Sequence, residues 1–292
     1  MSNNHITSLY QQLLQTLKRI VPDQENQAST AWLLLEKLFG KRREELIAMH
    51  HLSIAPEQEQ QLHRWIDELK KHKPLQYILG QVPFLDLWID VKPPILIPRP
   101  ETESWCAELI NIIKPLQNDS LSILDMCTGS GCLALALADA FPKALVVASD
   151  INPDAINLAQ RNAEKNNLTN VHFILSDLFN SIADQKYDLI VSNPPYLSEE
   201  EWQTIEPNVK EWEDKRALVA SDKGFYIIEQ ILLNSRNYLK NNNNVPYNMW
   251  IEIGYKQGPE VVELFKKYDY RDVKILKDYQ GHDRVVIGKY IS

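Results

Sequence analysis

Residues 190–196 read Ile-Val-Ser-Asn-Pro-Pro-Tyr, and the rest of the chain can be interpreted outward from this stretch. The run 187–191 is short, apolar and rich in β-branched residues, which is typical of a buried strand. A proline cannot donate a hydrogen bond to a strand ladder, so the strand must end at Ser192 or Asn193. Asn193 is therefore predicted to lie at the carboxyl end of a strand, where open α/β sheets bind their ligands.

The Asn-Pro-Pro-Tyr corner is suited to hold a planar NH2 group. Pro194 and Pro195 each fix their own φ, and Pro194 also restricts Asn193, so the corner is stiff. An amide or aromatic amine nitrogen is a poor nucleophile because its lone pair is delocalised. If Asn193 Oδ1 and a backbone carbonyl each accept one N–H, that lone pair can turn towards an electrophile, with Tyr196 packed alongside. The alternative is a structural proline-rich turn in which the asparagine ends the strand.

Composition limits the classes of protein that fit. The chain has 292 residues, of which 44% are hydrophobic and 24% charged, which allows one large α/β domain and a smaller one. Its net charge of −8 argues against duplex nucleic acid as the principal partner. No apolar run approaches the ~20 residues that span a bilayer. Three cysteines and no apolar leader predict a reduced, cytoplasmic protein, and no metal site is expected because no second Cys or His pair follows Cys127 and Cys132.

Three regions follow from the periodicity of the apolar residues. Residues 1–75 show helical spacing and predict a small helical bundle, which we expect to recognise a macromolecular substrate. Residues 76–100 contain an alternating stretch that predicts a linking β-hairpin. Residues 101–292 alternate strands and helices, as in a doubly wound sheet. At the start of this region, Arg99 lies between two prolines and is a candidate for the active-site wall, and Thr102 or a neighbour is expected to cap the helix that follows.

The ends of the first three strands of the 101–292 region carry residues that fit an adenosine ligand. After the first strand come Cys127, Thr128, Gly129, Ser130 and Gly131, and the two glycines let the backbone approach a ligand closely. No third glycine follows, so this is not the dinucleotide fingerprint. Asp150 ends the second strand about twenty residues on, where a carboxylate can accept both ribose hydroxyls. Asp177 and Leu178 follow the third strand, where an adenine could be bound. The predicted ligand then has its reactive centre beside Asn193.

The chain resembles the HemK/PrmC family of class I S-adenosylmethionine-dependent methyltransferases, which methylate glutamine in peptide chain release factors. The resemblance covers nearly the whole chain, including 73–80, 97–103, 128–131, 193–196 and 281–286. It implies a Rossmann-like, seven-stranded methyltransferase domain behind a helical one. It also implies transfer of a methyl group to the side-chain amide of the Gly-Gly-Gln glutamine of class I release factors. This protein methylation would modify a component of translation termination.

The resemblance also implies a role for each candidate site residue. Residues 127–131 would cradle the methionine part of S-adenosylmethionine, Asp150 would hold the ribose, and Asp177 and Leu178 would flank the adenine. Asn193, Pro194, Pro195 and Tyr196 would grip the glutamine during an in-line displacement on the sulfonium methyl, with Arg99 in the substrate-binding wall. One departure is Cys127, where the family more often has glycine.

Three alternatives remain at this point. A sibling family that methylates a ribosomal-protein glutamine commonly has cysteine at the position of Cys127. An adenine-specific DNA or RNA methyltransferase could hold an exocyclic base amine in the same corner, with Tyr196 stacked on a flipped base. The third alternative is a cofactor-binding scaffold without catalysis.

Overall fold

The computed structural model describes residues 6–21, 24–49 and 52–291. The chain divides into two compact units. One unit is formed by Met1–Gly80 with Pro207–Trp212, and the other by Gln81–Glu206 with Glu213–Ser292.

The first unit is helical. Its helices in the leading segment are α1 (Ile6–Leu17), α2 (Gln24–Phe39), α3 (Arg43–Ala48), α4 (Pro56–Lys70) and α5 (Leu75–Leu79). The apolar stripes that predicted these helices form one core, in which Leu13, Leu17, Leu62 and Trp65 are buried. Burial of each such side chain contributes roughly 1.5–3 kcal/mol, so packing rather than helix propensity holds the bundle together. The segment 207–212 joins this unit, where Trp212 Nε1 donates to the Lys71 carbonyl oxygen (3.1 Å).

The second unit opens with the predicted hairpin. Strands β1 (Gln81–Phe84) and β2 (Leu87–Asp90) pair antiparallel. Helix α6 (Pro100–Ile113) follows, and Pro100 at its first position suits a helix start because that N–H has no helical partner. The N-cap residue is Arg99, and no side chain caps this end, so the predicted capping by Thr102 is wrong. Thr102 lies inside the first turn, and its buried hydroxyl bonds elsewhere in the unit.

Strands and helices then alternate through the rest of the second unit. The elements are β3 (Ser122–Met126), α7 (Cys132–Ala140), β4 (Leu145–Asp150), α8 (Pro153–Lys165), β5 (Val171–Leu175), β6 (Leu189–Ser192), α9 (Glu199–Thr204), α10 (Pro207–Lys210, within the segment that joins the first unit), α11 (Tyr226–Ser235), β7 (Met249–Glu252), α12 (Gly258–Lys267), β8 (Arg271–Lys277) and β9 (Asp283–Lys289). The seven strands β3–β9 form one sheet in the order β5-β4-β3-β6-β7-β9-β8. Strand β9 runs antiparallel to β7 and β8, and the other neighbouring strands pair parallel, so the predicted seven-stranded α/β fold is confirmed.

The sheet register brings the predicted strand ends together. Met126 pairs with Ser192 on one side and with Ser149 on the other, so β3, β4 and β6 end at the same edge. Ser192 Oγ also donates to the Met126 carbonyl oxygen (2.7 Å). The order of the strands reverses at β3, since β4 and β5 lie to one side and β6 to the other. A crevice at this reversal is where sheets of this type bind ligands.

Candidate functional site

A cavity of about 330 Å³ opens at the carboxyl ends of β3, β4, β5 and β6. This volume lies at the lower end of the range for small-molecule sites, roughly 300–1,000 Å³. Segments 94–96 and 214–221 complete its wall. Seven of the predicted site residues line it: Cys127, Gly129, Asp150, Asp177, Leu178, Asn193 and Pro195. The structure therefore brings the ends of all four strands around one cavity.

The glycine loop between β3 and α7 forms the floor of this cavity. Gly129 has φ +57°, and a Cβ built on it would meet no atom within 4 Å, so any side chain would project into open space beside the cavity. Gly131 has φ +87°, and a Cβ there would lie 2.9 Å from Ala159 Cβ, so this glycine lets the loop pack on α8. Thr128 and Ser130 are buried. Of the five predicted loop residues, Cys127 and Gly129 face the cavity, and the other three shape the loop behind it.

Asp125, which was not predicted from the sequence as a site residue, holds this loop in place. Asp125 Oδ2 accepts hydrogen bonds from Thr128 Oγ1 (2.5 Å) and from the Ala134 backbone N–H (3.1 Å). Its Oδ1 has no hydrogen-bond partner among the described residues. Burial raises the pKa of the Asp125 carboxyl to about 7. The signal in the sequence was an acid at the end of an otherwise apolar strand.

Asp150 is positioned at the end of β4 by two backbone groups. Its Oδ2 accepts from the Gly129 N–H (2.9 Å) and its Oδ1 from the Asn152 N–H (2.8 Å). A carboxylate offers about four lone-pair sites, so both oxygens keep capacity for further donors on the cavity side. Burial raises the pKa of Asp150, while these backbone hydrogen bonds lower it.

Two non-glycine residues on the cavity wall have strained backbones. Cys127 has φ +63° and Leu178 has φ +46°, a region that residues with a Cβ rarely adopt. Such strain is concentrated at binding sites, where the surrounding structure enforces it. Glycine would adopt the φ of position 127 without a steric cost, which suits the glycine that the family resemblance implies there. Burial raises the pKa of the Cys127 thiol, so the thiol is protonated at neutral pH.

The Asn-Pro-Pro-Tyr corner follows β6 and is held from several sides. Asn193 Nδ2 donates to Thr102 Oγ1 (3.2 Å). The Tyr196 backbone N–H donates to the Leu218 carbonyl oxygen (3.1 Å), and its carbonyl oxygen accepts from Gln257 Nε2 (2.9 Å). Asn193 and Pro195 line the same cavity as Gly129 and Asp150. The corner therefore faces the glycine loop across one shared space.

A buried carboxylate, Glu252, lies behind this corner and was not predicted from the sequence. Its Oε2 accepts from Thr102 Oγ1 (2.6 Å) and from Trp105 Nε1 (2.7 Å), and its Oε1 accepts a long hydrogen bond from Tyr196 OH (3.5 Å). Burial raises the pKa of Glu252, and the hydrogen bonds from Thr102 and Trp105 oppose that shift. Like Asp125, it is an acid that ends an apolar strand.

Arg99 is not among the residues that line the cavity. Its guanidinium donates to Glu213 Oε2 (2.6 Å), and the Glu213 side chain is fully buried. Nearby, the Asp214 N–H donates to the Pro94 carbonyl oxygen (2.8 Å). Arg99 thus ties together two segments of the cavity wall, and its contact with substrate stays a prediction.

Within residues 6–21, 24–49 and 52–291, no group of three or more His, Cys, Asp or Glu side chains could hold a metal ion. None of the helices there combines the length and the apolar character needed to cross a membrane.

Two family models match parts of the chain. A family model described as PrmC N-terminal domain matches residues 9–80. A second, described as Methyltransferase small domain, matches residues 109–212.

The solved structures that resemble this chain share its fold. The catalytic domain of hMettl16 in complex with an RNA hairpin superposes with a TM-score of 0.58 at 17% identity, covering 77% of this chain and 83% of that chain. A Thermus thermophilus 16S rRNA methyltransferase in complex with AdoMet and guanosine gives a TM-score of 0.52 at 16% identity, covering 72% of this chain and 50% of that chain. At these identities, the likeness concerns the fold alone.

Curated relatives resemble the chain much more closely. The release factor glutamine methyltransferase of Escherichia coli is 35% identical over 91% of this chain and 93% of its own length. The protein of the same name from Streptococcus pneumoniae is 42% identical over 75% of this chain and 76% of its own length. A third, from Fusobacterium nucleatum, is 39% identical over 75% of this chain, and the match spans only 61% of that protein. These matches confirm the family predicted from the sequence: the chain belongs to the release factor glutamine methyltransferase family.

Proposed function

We propose that this protein transfers a methyl group from S-adenosylmethionine to the side-chain amide of a glutamine in a class I release factor. The observation that carries the proposal is that Asn193 and Pro195 line the same cavity as Gly129 and Asp150. This arrangement would set an acceptor for an NH2 group next to a site for an adenosyl group. Neither the family membership nor the geometry favours the alternatives, a ribosomal-protein glutamine or a nucleic-acid adenine.

The residues of the cavity fit the methyl donor. Asp150 has free acceptor capacity for ribose hydroxyls, because each of its oxygens accepts one backbone hydrogen bond. Ile151 and Leu178 supply apolar wall for an adenine ring, and Asp177 supplies an acceptor for its amine. Cys127 and Gly129 would hold the methionine part. When bound, the donor supplies a methyl group already activated by its sulfonium, so the protein contributes chiefly position and a dry environment.

The Asn193 corner would orient the carboxamide. In the part of the chain that the structure describes, neither Asn193 Oδ1 nor the Pro194 carbonyl oxygen accepts a hydrogen bond. Two open acceptors on a stiff corner can each take one hydrogen of an NH2 group and fix the direction of its nitrogen. Tyr196 would pack against the amide. The hydrogen bonds of its backbone N–H and of its carbonyl oxygen, to Leu218 and Gln257, keep it in place.

The helical unit is our candidate for recognition of the release factor as a macromolecule, because the corner alone reads only one side chain. The protein would act in the cytoplasm, where release factors work. Its free cysteines, Cys106, Cys127 and Cys132, suit a reducing compartment.

The test is a transfer assay with labelled S-adenosylmethionine and purified release factor. We expect label on wild-type release factor and none on a variant whose Gly-Gly-Gln glutamine is replaced by glutamate. Asn193→Ala should reduce kcat/KM by about a hundredfold, as loss of a group that binds the reacting centre typically does. Asn118→Ala, in an exposed turn, is the matched control and should behave as wild type. Label on duplex DNA but not on release factor, or full activity of Asn193→Ala, would overturn the proposal.

A further inference from the structure

The Asn193 side chain can do its proposed work in only one orientation. Its Oδ1 accepts hydrogen bonds, whereas its Nδ2 only donates them. If the amide group were turned over, Nδ2 would face the NH2 group of the substrate, and two donors would oppose each other. Free rotation of the side chain would therefore leave the corner without its selectivity for a carboxamide. Some neighbouring group must set the orientation.

A chain of hydrogen bonds with only one possible direction reaches Asn193 from behind. Trp105 Nε1 can only donate, so Glu252 Oε2, at 2.7 Å, is an acceptor. An ionised carboxylate only accepts hydrogen bonds, so Thr102 Oγ1, which lies 2.6 Å from the same oxygen, gives its single proton to Glu252. The Thr102 oxygen can then only accept from its other neighbour.

That neighbour is the Asn193 amide, 3.2 Å away. Because Thr102 Oγ1 must accept, the atom that faces it must be Nδ2. Oδ1 is consequently left on the other side of the amide plane, where it accepts no hydrogen bond from the described residues. The direction of the chain thus determines which end of Asn193 is open.

The chain is sheltered from water. Thr102 is 2% exposed and Glu252 is 1% exposed. Solvent therefore cannot compete for the Thr102 proton, and it cannot replace the Thr102 oxygen as the acceptor for Asn193. Glu252 also accepts from Tyr196 OH through its other oxygen (3.5 Å). One carboxylate therefore bonds to both ends of the corner, through Thr102 to Asn193 and directly to Tyr196.

We propose that Thr102 and Glu252 are positioning residues that orient the Asn193 amide with Oδ1 outward, and that they thereby make the corner selective for a carboxamide over a carboxylate. This inference rests on the proposed function, since it concerns the same substrate. It assigns the start of helix α6 a role through Thr102, whose hydroxyl bonds to Asn193.

The first experiment compares Thr102→Val, which keeps the shape but removes the hydroxyl, with Thr102→Ser, which keeps the hydroxyl. We expect Thr102→Val to lower kcat/KM for methyl transfer about tenfold, the typical effect of one net hydrogen bond. Thr102→Ser should retain activity close to that of the wild type. The Kd for S-adenosylmethionine should change in neither variant, because Thr102 does not line the cavity.

The second measurement separates orientation from general damage. A release factor carrying glutamate at the target position serves as a competitive inhibitor. The wild-type enzyme should bind this inhibitor more weakly than the glutamine substrate. In Thr102→Val the Asn193 amide is free to turn its NH2 group towards a carboxylate, so the glutamine-to-glutamate binding ratio should fall about tenfold. Glu252→Met should produce the same change, because it frees the Thr102 proton to point at Asn193.

The outcomes are distinct. If wild-type enzyme does not methylate release factor, the proposed function fails. If the wild type is active and Thr102→Val loses activity with an unchanged glutamine-to-glutamate ratio, Thr102 has only a structural role and this inference is wrong. The same holds if Thr102→Ser loses as much activity as Thr102→Val. A reduced ratio in Thr102→Val together with retained selectivity in Thr102→Ser supports it, whether or not Glu252→Met folds.

Discussion

Replacement of Gly224 by alanine tests whether the position of the Asn-Pro-Pro-Tyr corner determines activity. Gly224 has φ +91°, and a Cβ built there would lie 2.0 Å from the Tyr196 carbonyl oxygen and 2.9 Å from Gln257 Nε2. Real Cβ contacts essentially never fall below 3.0 Å, so the Tyr196 backbone or residue 224 must shift by about 1 Å. The hydrogen bond between Gln257 and Tyr196 would be strained by the same shift.

Two effects set the expected size. The left-handed backbone costs an alanine roughly 1–2 kcal/mol, and overpacking adds about 1–3 kcal/mol, so Gly224→Ala should lose roughly 2–5 kcal/mol of unfolding free energy. A displacement of about 1 Å at a reacting group can cost on the order of 100-fold in rate. Gly40→Ala is the matched control, because Gly40 also has a positive φ (+61°) but would contact no atom within 4 Å. It should lose only the roughly 1–2 kcal/mol backbone cost and keep its activity.

The assays are urea unfolding for stability and labelled methyl transfer to release factor for kcat/KM, both at a temperature where each variant is folded. Binding of S-adenosylmethionine, measured by calorimetry, should be similar in the two variants, since Gly224 does not line the cavity. A Gly224→Ala enzyme whose kcat/KM stays within threefold of the Gly40→Ala enzyme would refute the reasoning.

Three further predictions concern charged groups. The pKa of Asp125 rises from 3.8 to about 7 on folding. The contribution of this carboxyl group to the stability of the folded state is therefore fully present below pH 3.8 and is lost as the pH rises to about 7. We compare the unfolding free energies of the wild type and of Asp125→Asn, measured in urea across that pH window. The difference between them should fall by up to about 4 kcal/mol from the low to the high end of the window. Parallel pH profiles for the two proteins would contradict this. Arg99→Ala leaves the buried Glu213 without its ion-pair partner and should lower the free energy of unfolding in urea by roughly 3 kcal/mol. The double variant Arg99→Ala/Glu213→Ala should recover part of this loss. An unchanged urea midpoint in the single variant would exclude the pairing. Asp150→Ala should raise the Kd for S-adenosylmethionine, measured by calorimetry, about 10- to 100-fold. Asp154 is exposed, and Asp154→Ala should leave the Kd unchanged. Equal Kd values for the two variants would show that Asp150 does not bind the cofactor.

Much of the fold was predictable because its signals are local. The two prolines end β6 at Ser192, as expected, and strands and helices alternate along the second unit as their apolar spacing predicted. Apolar residues continue at helical spacing from 225 to 239, but helix α11 ends at Ser235 and a turn follows. Tyr187 lies outside β6 and makes only an isolated bridge with Leu239.

The site was predictable only in part, for a physical reason. Residues that follow neighbouring strands, such as Asp150 and Asn193, could be placed together because parallel strands share a carboxyl edge. The contact between Thr102 and Glu252 joins positions 150 residues apart, and only the folded sheet brings them together. Thr102 was therefore interpreted from its local position as a helix cap, which the structure shows to be wrong.

The directional chain from Trp105 through Glu252 and Thr102 to Asn193 also predicts how related sequences vary. A hydroxyl at position 102 is oriented only where position 252 offers an acceptor, and the donor at position 105 holds that acceptor in place. In an alignment of relatives that retain asparagine at position 193, substitutions at these three positions should occur together rather than independently. A relative that keeps the asparagine but has lost the hydroxyl should show a compensating acceptor from another part of its chain.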